Sequence, residues 1–138
     1  MPVIDFSSDD ILASKVVEPA YYEVDITEAL QKPAKDGKSQ NYLLEGRIVV
    51  NSDTGDTTFA NVPLGKAGNW IFNSKMKGNL IPLFEAVGAD ITPGSRFEFF
   101  HMKGKRISVY VENTEWNGQI QNKPTRYRAS VTQPPTKE

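Results

Sequence analysis

The stretch Ala20-Tyr21-Tyr22-Glu23-Val24-Asp25-Ile26-Thr27 alternates, with Tyr22, Val24 and Ile26 set between acids. A period of two predicts a strand with one buried face. The period returns at Asn41–Val50, where Leu44, Gly46, Ile48 and Val50 share one face and Glu45 and Arg47 the other. The segment between them, LQKPAKDGKSQ, holds Pro33, Gly37 and the lysines Lys32, Lys35 and Lys38, and predicts a loop. Asn51–Asp56 predicts a turn. A third strand is expected over Thr57–Leu64, with Ala60 and Val62 inward and Phe59 outward.

After Gly65 the period lengthens. Asn69 is placed to cap a helical piece from Trp70, and Asn79 another from Leu80. Pro82 falls in the first turn of the second piece, where a missing N–H is tolerated. Leu80, Leu83, Phe84 and Val87 then make an apolar stripe, and Gly88 is a natural stop. Arg96–Met102 predicts a fourth strand and Lys103-Gly104-Lys105 a tight turn. Arg106–Val111 predicts a fifth, with Ile107, Val109 and Val111 inward and Ser108, Tyr110 and Glu112 outward. Asn117-Gly118 is a hairpin turn signal, and Thr125–Val131 predicts a last strand.

This order predicts a mainly β fold: a small OB-like closed barrel of five to six antiparallel strands, with one helix between strands three and four. An SH3-like barrel or a small sandwich would use many of the same strands. Residues 1–15 read as a polar arm in which Ser7-Ser8-Asp9-Asp10 would cap a short helix. Residues 16–131 form the expected barrel domain, and the Pro-rich residues 132–138 the expected flexible tail.

Composition adds limits. The chain has 138 residues, enough for one domain with a modest core, and no cysteine, so disulfides and thiolate metal sites are excluded. No apolar run approaches the length of a membrane span, and the acidic start MPVIDFSSDDILASK is unlike a signal peptide. A cytoplasmic location is the expectation. The net charge of −1 hides an uneven distribution: through residue 31 there are seven acids against Lys15 alone. From Lys103 to Arg128 there are six cations and two acids, which predicts a local basic surface.

Catalysis finds little support. His101 is the one histidine, beside Phe99 and Phe100, and no nucleophile-elbow motif is present. Gly65-Lys66-Ala67-Gly68 lacks the GK[ST] of a phosphate-binding loop, and Asp53, Thr54, Gly55 and Asp56 read as turn chemistry rather than calcium ligands. No metal or cofactor is expected. Single-stranded nucleic acid, by contrast, needs cations that follow its backbone and rings on which unpaired bases stack. Tyr110, Trp116, Tyr127 and Phe59 are the candidate rings. Lys35, Lys38, Arg47, Lys105, Arg106, Arg126 and Arg128 are the candidate phosphate contacts. Trp116 would also serve as a cover over an open end of the barrel, and Tyr127 as a core residue between two outward arginines. A protein-interaction barrel, such as a phage-encoded inhibitor of a host factor, would use the same Trp, Tyr and Arg as its hot spot.

Four segments in order carry a resemblance: YYEVDITEALQKPAKDGKSQNYLLEGRIVV, LIPLFEAVGAD, MKGKRISVYVE and WNGQIQNKPTRY. Together they resemble the small single-stranded DNA-binding proteins that bacteriophages encode in replication or recombination clusters, over roughly residues 16–128. The resemblance implies an OB-like barrel that coats single-stranded DNA with little sequence preference, in the cytoplasm of an infected host. It implies no catalysis. Replication or recombination proteins would be partners, and further copies of the chain would be candidates for a homo-oligomer. The ending QPPTKE departs from the acidic tail by which many single-stranded DNA-binding proteins recruit partners. The short Lys103-Gly104-Lys105 turn leaves DNA wrapping to the Trp116 hairpin. The acidic N-terminal segment is a candidate contact for another subunit or a partner protein.

Overall fold

The computed structural model describes residues 3–65, 68–89 and 91–132; the side chains of residues 9, 10, 13 and 116 also lie outside the described set. The expected tail, apart from its first residue, Thr132, falls outside it too. A short helix, α1 (Ser8–Ala13), precedes the first strand, β1 (Ala20–Pro33). Then come β2 (Gln40–Asn51), β3 (Pro63–Leu64) and β4 (Ile71–Asn73). A 3-10 segment, Ser74–Leu80, leads into α2 (Ile81–Ala86), and a 3-10 turn at Phe99–Met102 leads into β5 (Arg106–Trp116) and β6 (Gln119–Ala129). The fold is therefore mainly β, one six-stranded antiparallel sheet in the order β3-β2-β1-β5-β6 with β4 also paired to β2. Its hydrogen-bonded ladder does not close on itself.

The inward phase of each long strand follows the alternation. Tyr22, Val24 and Ile26 of β1, Leu44 and Ile48 of β2, and Ile107, Val109 and Val111 of β5 are all buried. They meet Leu64, Leu80, Leu83, Phe99 and Met102 in one core. Gly46 is required there because a Cβ would lie 2.7 Å from Val24 Cγ1 and 2.9 Å from the Asp25 carbonyl oxygen. Gly65 has φ +83° and lies so close to the Leu44 carbonyl that a Cβ would overlap it.

Three expected elements differ. Thr57–Leu64 is not a strand over its length: residues 58–61 turn, and only Pro63 and Leu64 pair with β2. Asp56 accepts hydrogen bonds from the Thr58 N–H at 2.9 Å and its hydroxyl at 2.6 Å, which turns the chain early. Phe59 consequently faces inward, packed edge-on against Tyr22. Arg96–Met102 is not a strand: Phe99–Met102 forms a 3-10 turn, in which Phe99 and Met102, three residues apart, point to the same side and are both buried. No helix starts at Trp70. Asn69 donates its side chain to the Asn122 carbonyl instead of capping, and β4 follows. The expected second helix forms as α2 with Pro82 in its first turn, but Leu80 rather than Asn79 occupies the cap position.

β4 and β6 do not pair through their backbones; side chains of β4 and of the two residues ahead of it reach β6 across a seam. Contacts step along both in the same sense: Asn69 to Asn122, then Trp70 and Phe72 to Tyr127. The Trp70 and Tyr127 rings lie 7° from parallel with centroids 6.3 Å apart, and the indole N–H donates to the Tyr127 hydroxyl at 2.8 Å. Burial pushes the Tyr127 phenol well above its usual pKa.

Glu23 sits on the outer face of β1, yet it is fully buried. The Val131 and Thr132 N–H groups donate to Oε1 at 3.0 and 3.1 Å, the Thr132 hydroxyl donates at 2.9 Å, and the Ser130 hydroxyl also donates. Ser52 donates to Oε2 at 2.7 Å. Burial alone would raise the carboxyl's pKa, but the donors from Ser130, Ser52 and Thr132 outweigh it and hold the value low.

Two predictions follow from these contacts. Tyr127→Phe leaves the Trp70 N–H without its partner and should cost about 1–2 kcal/mol in denaturant unfolding. Because the Glu23 carboxyl is held low, its stabilisation is present above its unfolded pKa of about 4.3 and is lost as pH falls through the lower folded value. Glu23→Gln should therefore cost about 2–3 kcal/mol at pH 7. The gap should narrow steadily below about pH 4 in melts followed from pH 7 to pH 3.

Candidate nucleic-acid interface

Strand register arranges the outer face of β2, β1, β5 and β6 in rows. One row is Arg47, Asp25, Arg106; a second is Glu23, Ser108, Arg128; a third is Tyr21, Tyr110, Arg126. The first row is neutralised in part. Arg106 grips Asp25 through Nε at 2.6 Å and Nη2 at 3.0 Å, and that bidentate pairing raises its pKa further. Arg47 donates to the Asn61 carbonyl at 3.0 Å.

The other two rows form an aromatic and cationic cluster. Tyr21 and Tyr110 pack edge to face, centroids 5.1 Å apart. The Arg128 guanidinium lies 3.9 Å over the Tyr21 ring, and Arg126 lies 5.6 Å over Tyr110. Arg128 also pairs with Asp53 at 2.7 Å and donates to Ser108 at 3.2 Å, so it is held in place. Arg126 is exposed, and among the described residues no ion pair engages it.

This cluster opens onto the unpaired seam between β4 and β6. A cavity of about 630 Å³ there is lined by Tyr21, Trp70, Phe72, Lys123, Arg126 and Tyr127. A second, of about 520 Å³, continues from it through the shared Asn69, Ile71 and Lys123 to Thr114, Glu115 and Gln121 of the β5–β6 hairpin. The seam thus gives a furrow that runs from the outer face to beneath the hairpin. Asn117 and Gly118, both at positive φ, turn that hairpin as the sequence predicts. The Trp116 backbone pairs with Gln119 at its end, and the Trp116 side chain lies outside the described residues. Asn69 Oδ1 is buried at the seam with no hydrogen-bond partner.

The candidate residues do not all gather here. Tyr110, Arg106, Arg126 and Arg128 share the outer face, with Arg47 at its β2 side. Tyr127 lines the furrow from below, half-buried against Trp70. Phe59 is removed from the face by its packing on Tyr22. Lys35 and Lys38 are exposed on the β1–β2 turn, at the opposite end of β1 from Tyr21. That turn is a fixed structure. Asp36 accepts the Lys38 and Ser39 N–H groups at 2.9 Å each and pairs with Lys75 at 2.6 Å. The Lys75 contact, followed by those N–H donors, holds the Asp36 carboxyl far below the usual range. Lys105 is exposed in the turn before β5.

Tyr21 and Lys123 belong to the site without having been singled out. Tyr21 was legible in principle, since an inward Tyr22 forces its neighbour outward in a strand. Phe72 and Asn69 were not, because a helical start at Trp70 hides the seam. No protein-family model matches the chain, and no curated protein matches it significantly.

Proposed function

We propose that the chain is a single-stranded DNA-binding protein that coats DNA with little sequence preference during phage replication or recombination. The strand order supports an OB-like arrangement with the helix α2 ahead of β5 and a barrel closed at one seam by side chains. The observation that carries the reading is the Tyr21–Tyr110 pair, overlaid by Arg126 and Arg128, opening on a furrow with Lys123. Bases stack on aromatic faces and on guanidinium planes, and cations replace the counterions of the phosphates. In this geometry an entering base displaces Arg126 from the Tyr110 face, and the released guanidinium meets the phosphate beside it. Arg128, tied to Asp53, keeps its ring covered and serves as a fixed cation. Trp116 at the hairpin and Lys35, Lys38 and Lys105 beyond the furrow are further contacts for a longer strand.

A second reading, a protein-interaction module, draws support from the ion pairs of Arg106 and Arg128, which reduce the charge free for phosphates. Salt separates the two. Fluorescence anisotropy of labelled oligo-dT should show binding at micromolar protein in low salt, weakening steeply as salt rises. Tyr110→Ala should weaken binding by about 5- to 100-fold, and Arg126→Ala should lower the salt slope by about one. No binding in low salt rejects the DNA reading.

A further inference from the structure

The chain carries two uncovered apolar features that match. The first is the segment ahead of α1, irregular over residues 3–7. Val3 is 80% exposed, Ile4 76% and Phe6 70%. Drawn out on docking, the segment would set Ile4 and Phe6 on one side as an apolar edge and Asp5 on the other. The second is a groove of about 690 Å³ between α2, the loop that follows it and the far ends of β1 and β2. Its walls include Tyr42, Leu80, Ile81, Phe84, Phe97 and Phe100. Phe100 is 59% exposed and Ile81 41%, while Phe84 and Phe97 pack together at 4.6 Å as its floor. Lys77 and Glu98 stand at its rim.

We propose that the Ile4–Phe6 edge of one chain docks in this groove on a second copy of the chain. Within one chain neither feature covers the other: the groove has no lining residue from the segment, and the segment's apolar side chains face solvent. Large apolar side chains exposed together mark an interaction surface. Of the two charges at the groove, Lys77 suits the acidic segment and Glu98 opposes it, so the match is carried by the apolar side chains. Two side chains two residues apart, entering one groove, are the familiar economy of an extended peptide in a pocketed surface. Knob and groove are different surfaces, so the contact is heterologous and repeats head to tail. Such an array would place successive copies along one ligand strand, but the association itself does not depend on the DNA reading.

The test uses the full chain without DNA. Sedimentation velocity should show mean mass rising between about 10 µM and 1 mM, as a small interface requires. An Ile4→Ser/Phe6→Ser double variant and a Phe100→Ser variant alter exposed positions, and their unchanged circular dichroism melts would establish folding. Each alone should associate at least about tenfold more weakly. Mixed, they should recover a 1:1 dimer and nothing larger, since one supplies the segment and the other the groove. A wild-type chain that stays monomeric throughout, whether or not the segment folds into its own groove, overturns the proposal. So does a variant that associates like wild type, or a mixture that does not pair.

Discussion

The stacked, hydrogen-bonded pair of Trp70 and Tyr127 holds together a sheet that its own backbone leaves open. A ladder of amides would have shut the space between β4 and β6 at a fixed spacing. A ring pair bridges it instead, and Trp70 and Tyr127 both line the furrow. The same indole adds to the crowding at Gly46, lying 3.3 Å from where a Cβ would sit, behind the nearer Val24 side chain and Asp25 carbonyl. One aromatic contact thus links core packing to the furrow beside Tyr21 and Arg126.

Charge on the outer face is organised by pairing as much as by exposure. Arg106 is spent on Asp25 and Lys103 on Glu28, at 2.6 Å in each case. Exposed pairs of this kind contribute little to stability, but they decide which cations remain to attract a ligand. Counting basic residues between Lys103 and Arg128 therefore overstates the field. What remains among the described residues is Lys105, in the turn before β5, and Arg126 and Lys123 beside the tyrosines.

The long strands were legible because their alternation is strict and one face is buried: Tyr22-Val24-Ile26, Leu44-Gly46-Ile48 and Ile107-Val109-Val111 all face the core as read. The hairpin turn was legible because Asn117-Gly118 suits two positive φ values. In the middle of the chain the elements were not. Phe99 and Met102 are buried through a spacing of three in a single turn, too short to show a period. Trp70 is buried by a residue 57 positions away, which no local window contains. Site residues failed for related reasons. Phe59 lies ahead of a strand that begins only at Pro63, so alternation gives it the wrong direction, and the lysine loop lies away from the candidate face because β1 runs well past the point where β5 leaves it. Trp70 and Tyr127 also show why a ring in a sequence does not declare its use: one pair of aromatics is architecture and the other, Tyr21 and Tyr110, is surface.

The shell of donors around Glu23 has a consequence for where the folding unit stops. β6 ends at Ala129, but Ser130, Val131 and Thr132 supply most of the hydrogen bonds that make an interior carboxylate tolerable. A truncation drawn at the last strand would strip them while sparing every amide of the sheet, and leave the carboxylate with the Ser52 hydroxyl as its donor among those described above. The folding unit thus reaches at least three residues beyond the edge that its secondary structure suggests.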